Sequence, residues 1–145
     1  MRFALVFGGM QLRFPDYVVV IVEDLDRALA FYTGALGLEL GHRSGKFAQL
    51  ATGPTRIALF ERGAMATVVG SELVAPDRNA PGFELGFKVP DVDAAFAELV
   101  ALGAETAVEP TDRPWGQRTA YVRDPDGHLI ELAQDTRNRS TSTSG

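Results

Sequence analysis

Apolar positions recur with two different periods in the first part of this chain, and each period predicts one kind of element. Residues 16–22 (DYVVVIV) form a β-branched run that is typical of a strand. Within residues 27–36, Leu29, Tyr32 and Leu36 recur at spacings of three and four residues, which predicts a helix with one buried face. The regular structure therefore begins with a strand followed by a helix.

Polar residues and a glycine mark the two ends of that helix. Asp24 or Asp26 can cap its first turn, because a short side chain accepts hydrogen bonds from unpaired backbone N–H groups. Gly37 can end the helix in a left-handed conformation. Turns at Ser44-Gly45 and Gly53-Pro54 then separate three predicted strands, at residues 38–42, 47–51 and 56–61. The first unit therefore has the order β-α-β-β-β.

The same order of elements returns in the second half of the chain. Asp91-Val92-Asp93 repeats Asp24-Leu25-Asp26 at an offset of 67 residues, and the predicted helix at residues 94–102 ends before Gly103. Strands are predicted at residues 82–89, 106–108, 119–122 and 129–133. A repeat of this size predicts an α+β fold made of two copies of one unit, each of which needs the other to bury its sheet.

These patterns divide the chain into five segments. The first βαβββ module is predicted at residues 15–61 and the second at residues 82–134. Between them, residues 62–81 are rich in glycine and proline and predict a connector, with a short structured piece at residues 65–69. Residues 1–14 are expected to form an N-terminal extension or an edge strand, and residues 135–145 a disordered tail.

Composition and charge narrow the classes of function. The 145 residues include no cysteine, which excludes disulfides, thiolate metal sites and cysteine nucleophiles. The net charge of −5 argues against a nucleic-acid partner, since no basic stripe is available to neutralise phosphates. No apolar run is long enough to span a membrane and no signal peptide is evident, so a cytoplasmic protein is expected. Phosphate-cradling and dinucleotide motifs are absent.

The segment YVRDPDGHLIEL, residues 121–132, contains the acid that most needs an explanation. Asp124-Pro125-Asp126-Gly127 is typical of a tight turn between two strands, since proline presets φ and glycine tolerates positive φ. The following strand places Glu131 between Ile130 and Leu132. A carboxylate in such a setting is seldom left without a partner.

Three segments of the chain carry a resemblance to a known family. VEDLDRALAFYTGALGLEL, FKVPDVDAAFAELVALGA and DPDGHLIEL are similar to the glyoxalase / bleomycin-resistance / extradiol-dioxygenase superfamily, also called vicinal oxygen chelate. The resemblance implies two βαβββ modules whose sheets curl around a shared cleft, commonly in a homodimer. It also implies, for metal-dependent members, a divalent ion held by the first and last strands of the modules.

The family's metal ligands transfer only in part to this sequence. Glu131 matches the glutamate of the last strand, and Glu84 stands where a histidine is usual. Tyr17 replaces the histidine of the first strand, and Ala58 occupies the fourth position and cannot bind. No metal is therefore expected. If one is present, its ligands are Glu131, Glu84 and Tyr17, an all-oxygen set that suits manganese or magnesium better than nickel or zinc.

The remaining cleft residues are expected to bind an organic ligand. The predicted aromatic walls are Phe47, Phe60, Trp115 and Tyr121. Arg118 either pairs with Glu131 or meets an anionic ligand. Strand alternation places Glu84 and Glu131 toward the cleft, where two acids can share a proton or hold an amine. The alternatives without a role in ligand binding are that an arginine or Tyr17 forms a hydrogen bond or ion pair with Glu131, and that Glu84 is solvated.

The leading hypothesis is a metal-independent protein of the drug-sequestration type, which is the antibiotic-resistance role of some family members. It would bind a small aromatic compound, cationic in one version, at a homodimer interface, without nucleic-acid or membrane partners. The alternative is a divalent-metal-dependent lyase, isomerase or thiol transferase of the same superfamily. A third hypothesis is a closed cleft whose surface contacts another protein. Whether the protein is an enzyme stays open at this point.

Overall fold

The computed structural model describes residues 10, 12 and 15–136, and they form two βαβββ modules as predicted. The strands of the first module are β1 (Tyr17–Val22), β2 (Glu39–Ser44), β3 (Phe47–Ala51) and β4 (Arg56–Glu61). Those of the second are β5 (Glu84–Lys88), β6 (Glu105–Arg113), β7 (Gln117–Arg123) and β8 (Leu129–Asp135). The helices are α1 (Leu25–Leu29), α2 (Arg62–Val69) and α3 (Val92–Ala101). The fold is α+β.

Each module forms a four-stranded mixed sheet with the same connectivity. The strand orders are β1-β4-β3-β2 and β5-β8-β7-β6, so the first and last strands of each module are parallel neighbours. In the second sheet, Gly86 of β5 and Tyr121 of β7 lie on either side of Glu131 of β8. This register places the first and last strands of the module, which the resemblance singled out, side by side.

The helix starts are built alike in both modules. Asp24 accepts a hydrogen bond from the Arg27 N–H through its side chain, and Asp91 does the same for Ala94, so both predicted aspartates are N-caps. A side chain from the last strand of the module then accepts from the first N–H of each helix. The Glu61 carboxylate accepts from the Leu25 N–H at 2.8 Å, and the Gln134 side-chain oxygen accepts from the Val92 N–H at 2.9 Å.

One hydrophobic core joins the two modules on the helix side of both sheets. Its largest fully buried side chains include Tyr32, Leu25, Leu50, Leu59 and Ile130, which come from both halves of the chain. Leu85, Phe87 and Val89 of the second module pack against the same core. The alternate residues of β5, which are Glu84, Gly86 and Lys88, lie on the other face of the sheet, as the alternation predicted.

Some elements differ in extent from the prediction. The first helix begins at Leu25 and continues after Leu29 as a π-helical segment (Ala30–Ala35). Strand β6 is longer than the predicted 106–108, and residues 62–69 of the predicted connector form α2, which includes the expected piece at 65–69. The predictions for residues 1–14 and for the tail lie largely outside the described residues. Within the described part, no helix is long and apolar enough to cross a membrane.

Candidate functional site

The face of the second sheet that is turned away from α3 gathers acids and a phenol around Glu131. The Tyr121 hydroxyl donates a 3.0 Å hydrogen bond to Glu131 Oε2 across the β7–β8 pair. The carboxyl groups of Glu84 and Glu131 are hydrogen-bonded neighbours. We refer to Glu84, Tyr121 and Glu131 as the carboxyl cluster. Of these side chains Glu84 is exposed and the other two are half-buried, so solvent and ligands can reach the cluster.

Burial and the charge of Glu131 perturb two groups of the carboxyl cluster. Partial burial, the charge of Glu131 and the hydrogen bond to Glu131 together raise the pKa of Glu84 above its ordinary value. Burial and the hydrogen bond to Glu131 raise the pKa of Tyr121 to about 12, so the phenol stays neutral and acts as a donor. The site therefore combines a neutral hydrogen-bond donor with a carboxyl group that its neighbour makes harder to ionise.

Gly86 makes room for the Glu131 carboxyl group. A Cβ atom at this position would lie 3.0 Å from Glu131 Oε1, closer than side chains normally approach. A side chain at residue 86 would therefore require the carboxyl group to shift by a few tenths of an ångström. The sequence had placed Gly86 on the cleft side of β5, but the contact that gives it a role depends on the β5–β8 register.

Arg113 supplies a positive charge near the same cluster, and the sequence did not single it out. Its Nε–H donates to the Thr119 hydroxyl at 2.8 Å, and Thr119 is fully buried on β7. Its charge lowers the pKa of Tyr121 against the larger effects of burial and of Glu131. The centre of the face is thus acidic, and Arg113 lies beside it.

The other five predicted cleft residues lie apart from the carboxyl cluster. Tyr17 lies on the first sheet and is 56% exposed, and in the described residues no hydrogen bond joins it to Glu131. Phe47 and Phe60 are cross-strand neighbours on that first sheet and pack edge to face, with ring centroids 5.8 Å apart. The first module therefore offers aromatic rings where the second offers acids.

Trp115 and Arg118 belong to the β6–β7 hairpin. Trp115 is 59% exposed, and its indole N–H donates to the Gln117 side chain. Gln117 is four residues before Tyr121, which places it about 13 Å from Tyr121 along the strand. Arg118 donates to Asp93 at 2.9 Å and to Asp112 at 3.1 Å. The structure therefore pairs Arg118 with these aspartates rather than with Glu131. The partner of Glu131 is Tyr121, which was predicted as a wall.

The DPDG turn anchors the strand that carries Glu131. Asp124 is buried, and its Oδ1 accepts from the backbone N–H groups of Asp126 and His128. Its Oδ2 accepts from the Tyr32 hydroxyl at 2.7 Å and from His128 Nδ1 at 2.8 Å. Burial alone would raise the pKa of Asp124, but the hydrogen bonds from His128 and Tyr32 outweigh it and lower the pKa. Gly127 takes φ 90°, as the turn requires.

The donor set fits a tightly held divalent metal poorly. Among the described residues, no group of three or more histidines, cysteines, aspartates and glutamates converges on one point. Glu84 and Glu131 interact with each other, and the Tyr121 hydroxyl donates its hydrogen to Glu131. Two carboxylates would hold magnesium or manganese only weakly, with water supplying the remaining ligands.

The paired βαβββ modules, with an acid on the last strand of the second, define the class of fold to which the chain belongs. The family model described as "Glyoxalase/Bleomycin resistance protein/Dioxygenase superfamily" matches residues 15–132. The chain belongs to this superfamily.

Proteins similar to this chain have diverse functions. The chain is 36% identical to the uncharacterized protein YraH of Bacillus subtilis (strain 168) over 78% of this chain and 91% of YraH. It is 33% identical to the 2-epi-5-epi-valiolone epimerase of Actinomyces sp over 80% of this chain and 76% of the epimerase. The crystal structure of TnmS3, an antibiotic binding protein from Streptomyces sp. CB03234, superposes with a TM-score of 0.66 at 28% identity. That match covers 88% of this chain and 99% of TnmS3.

Proposed function

We propose that this protein binds a small aromatic compound with a cationic group, in the manner of a drug-sequestering member of its superfamily, without using a metal. The observation that carries the proposal is the carboxyl cluster on the open face of the second sheet. Two hydrogen-bonded glutamates and a neutral phenol form a site that favours an amine or an amidinium over a neutral or anionic group.

The charge balance of the face supports a cation as the preferred ligand. Glu84 and Glu131 place two carboxyl groups side by side, and a ligand cation between them would offset the repulsion that raises the pKa of Glu84. Arg113 lies near Tyr121 and would repel the ligand cation on that side, which favours approach from the side of Glu84.

We propose that the aromatic part of the ligand is covered by a second copy of the chain. The edge-to-face pair of Phe47 and Phe60 lies on the first sheet, apart from the acids of the second. A homodimer that brings the first sheet of one copy over the second sheet of the other would place these rings against the carboxyl cluster. The similarity to TnmS3, an antibiotic binding protein, supports this class of ligand.

The second candidate is a divalent-metal-dependent lyase, isomerase or thiol transferase. The 33% identity to an epimerase favours an enzyme in this superfamily. Against this candidate stands the donor set, which offers the two carboxylates of the cluster and Tyr17 on the other sheet.

A fluorescence titration tests the binding proposal. Proflavine, a planar aromatic cation, is titrated with the protein in the presence of EDTA, and its anisotropy is followed; fluorescein serves as the planar anion. We expect saturable binding of proflavine alone, weakened about tenfold in Glu131→Gln, because about 1.4 kcal/mol of charge interaction is lost. Glu39→Gln removes the same charge from an exposed position on the first sheet and should leave the affinity unchanged.

The opposite results would separate the two candidates. Equal binding of proflavine by the protein and by Glu131→Gln would remove the carboxyl cluster from the proposed site. Metal analysis of protein purified without chelator, with a titration of manganese, nickel and zinc, tests the alternative. A stoichiometric ion that is lost in Glu131→Gln would overturn the metal-independent proposal.

A further inference from the structure

A cavity lies at the junction of the two modules, away from the carboxyl cluster. It has a volume of about 270 Å³, just below the range of about 300–1,000 Å³ that is usual for drug-sized ligands. One wall is formed by Val19 and Ile21 of β1, a second by the connector after α2, and a third by the DPDG turn. Its lining includes none of Glu84, Tyr121 and Glu131.

Asp126, in the wall of this cavity, has a carboxylate with one unsatisfied oxygen. Its side chain is 4% exposed. One oxygen, Oδ1, accepts from the Glu23 N–H at 2.9 Å and lies 3.6 Å from Arg27 Nη2. The other oxygen, Oδ2, is buried and has no hydrogen-bond partner in the described part of the chain. A buried carboxylate oxygen without a donor is destabilising, so such an atom points to a missing partner.

His128 adds a second acceptor to the same wall. Its Nδ1 is bound to Asp124 Oδ2, and because the pKa of Asp124 is lowered, that carboxylate is ionised and Nδ1 carries the hydrogen. In the tautomer that donates from Nδ1, Nε2 is an acceptor. The ring packs against Phe83, another wall residue, with centroids 5.7 Å apart.

The cations around the cavity are already engaged. Arg62 is buried and pairs with Glu23, and Arg78 pairs with Glu105. The apolar part of the lining includes Val19, Ile21, Val74, Pro76, Pro81 and Phe83. The lining therefore combines apolar side chains and paired guanidinium groups with two acceptors, the ring of His128 and a buried carboxylate oxygen of Asp126 that lacks a donor.

We propose that this junction cavity is a second binding site, which takes a protonated primary amine on a small apolar or aromatic body. The ammonium group would donate to Asp126 Oδ2 after a small movement of the turn, and a second hydrogen would reach His128 Nε2. The apolar body would lie against the β1 side chains and Phe83. The site is independent of the function proposed for the carboxyl cluster, since no residue is shared between them.

Benzylamine is the probe for this site, and benzyl alcohol is its uncharged counterpart. Both are titrated into the full-length protein labelled with ¹⁵N, and the amide shifts of Gly82, Gly127 and His128 are followed. We expect saturable shifts at these three residues with benzylamine and an affinity for benzyl alcohol at least about tenfold lower.

Variants of the cavity wall decide between specific binding and general attraction. Asp126→Asn should weaken benzylamine binding about tenfold or more, because it removes the carboxylate charge and keeps the shape. Asp77→Asn removes the same charge from an exposed position in the cavity lining and should leave the affinity within about twofold. Glu131→Gln should also leave the shifts at Gly82 and Gly127 unchanged, which separates this site from the carboxyl cluster.

Gly82→Leu keeps the test decisive if Asp126→Asn does not fold. A Cβ atom at Gly82 meets nothing within 4 Å, so the larger side chain should occupy the cavity without disturbing the backbone. Loss of benzylamine binding in this variant supports the site. Absence of saturable shifts up to about 10 mM benzylamine, or equal effects of Asp77→Asn and Asp126→Asn, would overturn the proposal.

Discussion

At the scale of single residues, the protonation of one glutamate depends on its neighbour across two strands. Glu84 lies on β5 and Glu131 on β8, and the interaction between them arises only because those strands pair in parallel with Gly86 opposite Glu131. The sequence showed that Glu131 needs a partner and that Glu84 faces the same side. It could not show that Tyr121 is that partner, because the choice depends on the β7–β8 register.

The replacement Glu131→Gln should lower the pKa of Glu84. The charge of Glu131 and its hydrogen bond both raise that pKa, so their loss moves it toward the ordinary value, while the part caused by burial remains. A ¹³C NMR titration of the glutamate side chains measures the shift. Glu39→Gln is the control, and an unchanged midpoint for Glu84 in Glu131→Gln would mean that the two carboxyl groups do not interact in solution.

At the scale of elements, each module connects its helix to its last strand through one side chain. Glu61 and Gln134 are 73 residues apart in the sequence and accept from Leu25 and Val92, which are 67 residues apart. The sequence predicted the aspartate N-caps and most strands, because those depend on local chemistry. It missed these two contacts, and it missed the change from α1 to the π-helical segment, because both are set by packing between elements.

Replacing either acceptor should destabilise the fold by a similar amount. Glu61→Ala and Gln134→Ala each leave one helix N–H without its partner, and each should lower the free energy of unfolding by about 1 kcal/mol. Urea unfolding measures both values. Glu61→Gln keeps an acceptor oxygen and should cost less than Glu61→Ala; equal costs would show that the charge and not the hydrogen bond matters.

At the scale of the whole molecule, the two modules are joined by polar contacts as well as by the shared core. The Tyr32 hydroxyl of the π-helical segment donates to Asp124 of the second module, and the Glu23 N–H donates to Asp126. The paired-module fold followed from the repeat and the resemblance. The junction cavity did not, because its walls come from three distant segments whose relative positions no sequence pattern records.

The variant Tyr32→Phe tests how strongly this contact holds the modules together. It keeps the ring and its packing on Phe31 but removes one of the donors to the buried Asp124 carboxylate. We expect the free energy of unfolding to fall by about 1–3 kcal/mol, the usual cost of an unsatisfied buried group. Tyr17→Phe, at an exposed position, should change it by no more than about 0.5 kcal/mol in the same urea experiment. Equal effects of both variants would contradict this role for Tyr32.

Asp124 should also make the stability of the whole molecule depend on acid. Its pKa is lower in the folded chain than the ordinary 3.8, so its contribution is complete above that value and is lost as the pH falls through the folded value. Urea unfolding between about pH 6 and pH 2 should therefore show the difference between the protein and Asp124→Asn shrinking toward acid pH. A difference that stays constant with pH would argue against an ionised Asp124.

The raised pKa of Glu84 links cation binding to proton release in the pH range where Glu84 titrates. A ligand cation stabilises the ionised form of Glu84, so binding in that range lowers its pKa and releases a proton. The enthalpy measured there by calorimetry should change with the ionisation enthalpy of the buffer, and the affinity should rise with pH until Glu84 is ionised. Each cation that binds next to a protonated Glu84 would then return one proton to the solvent.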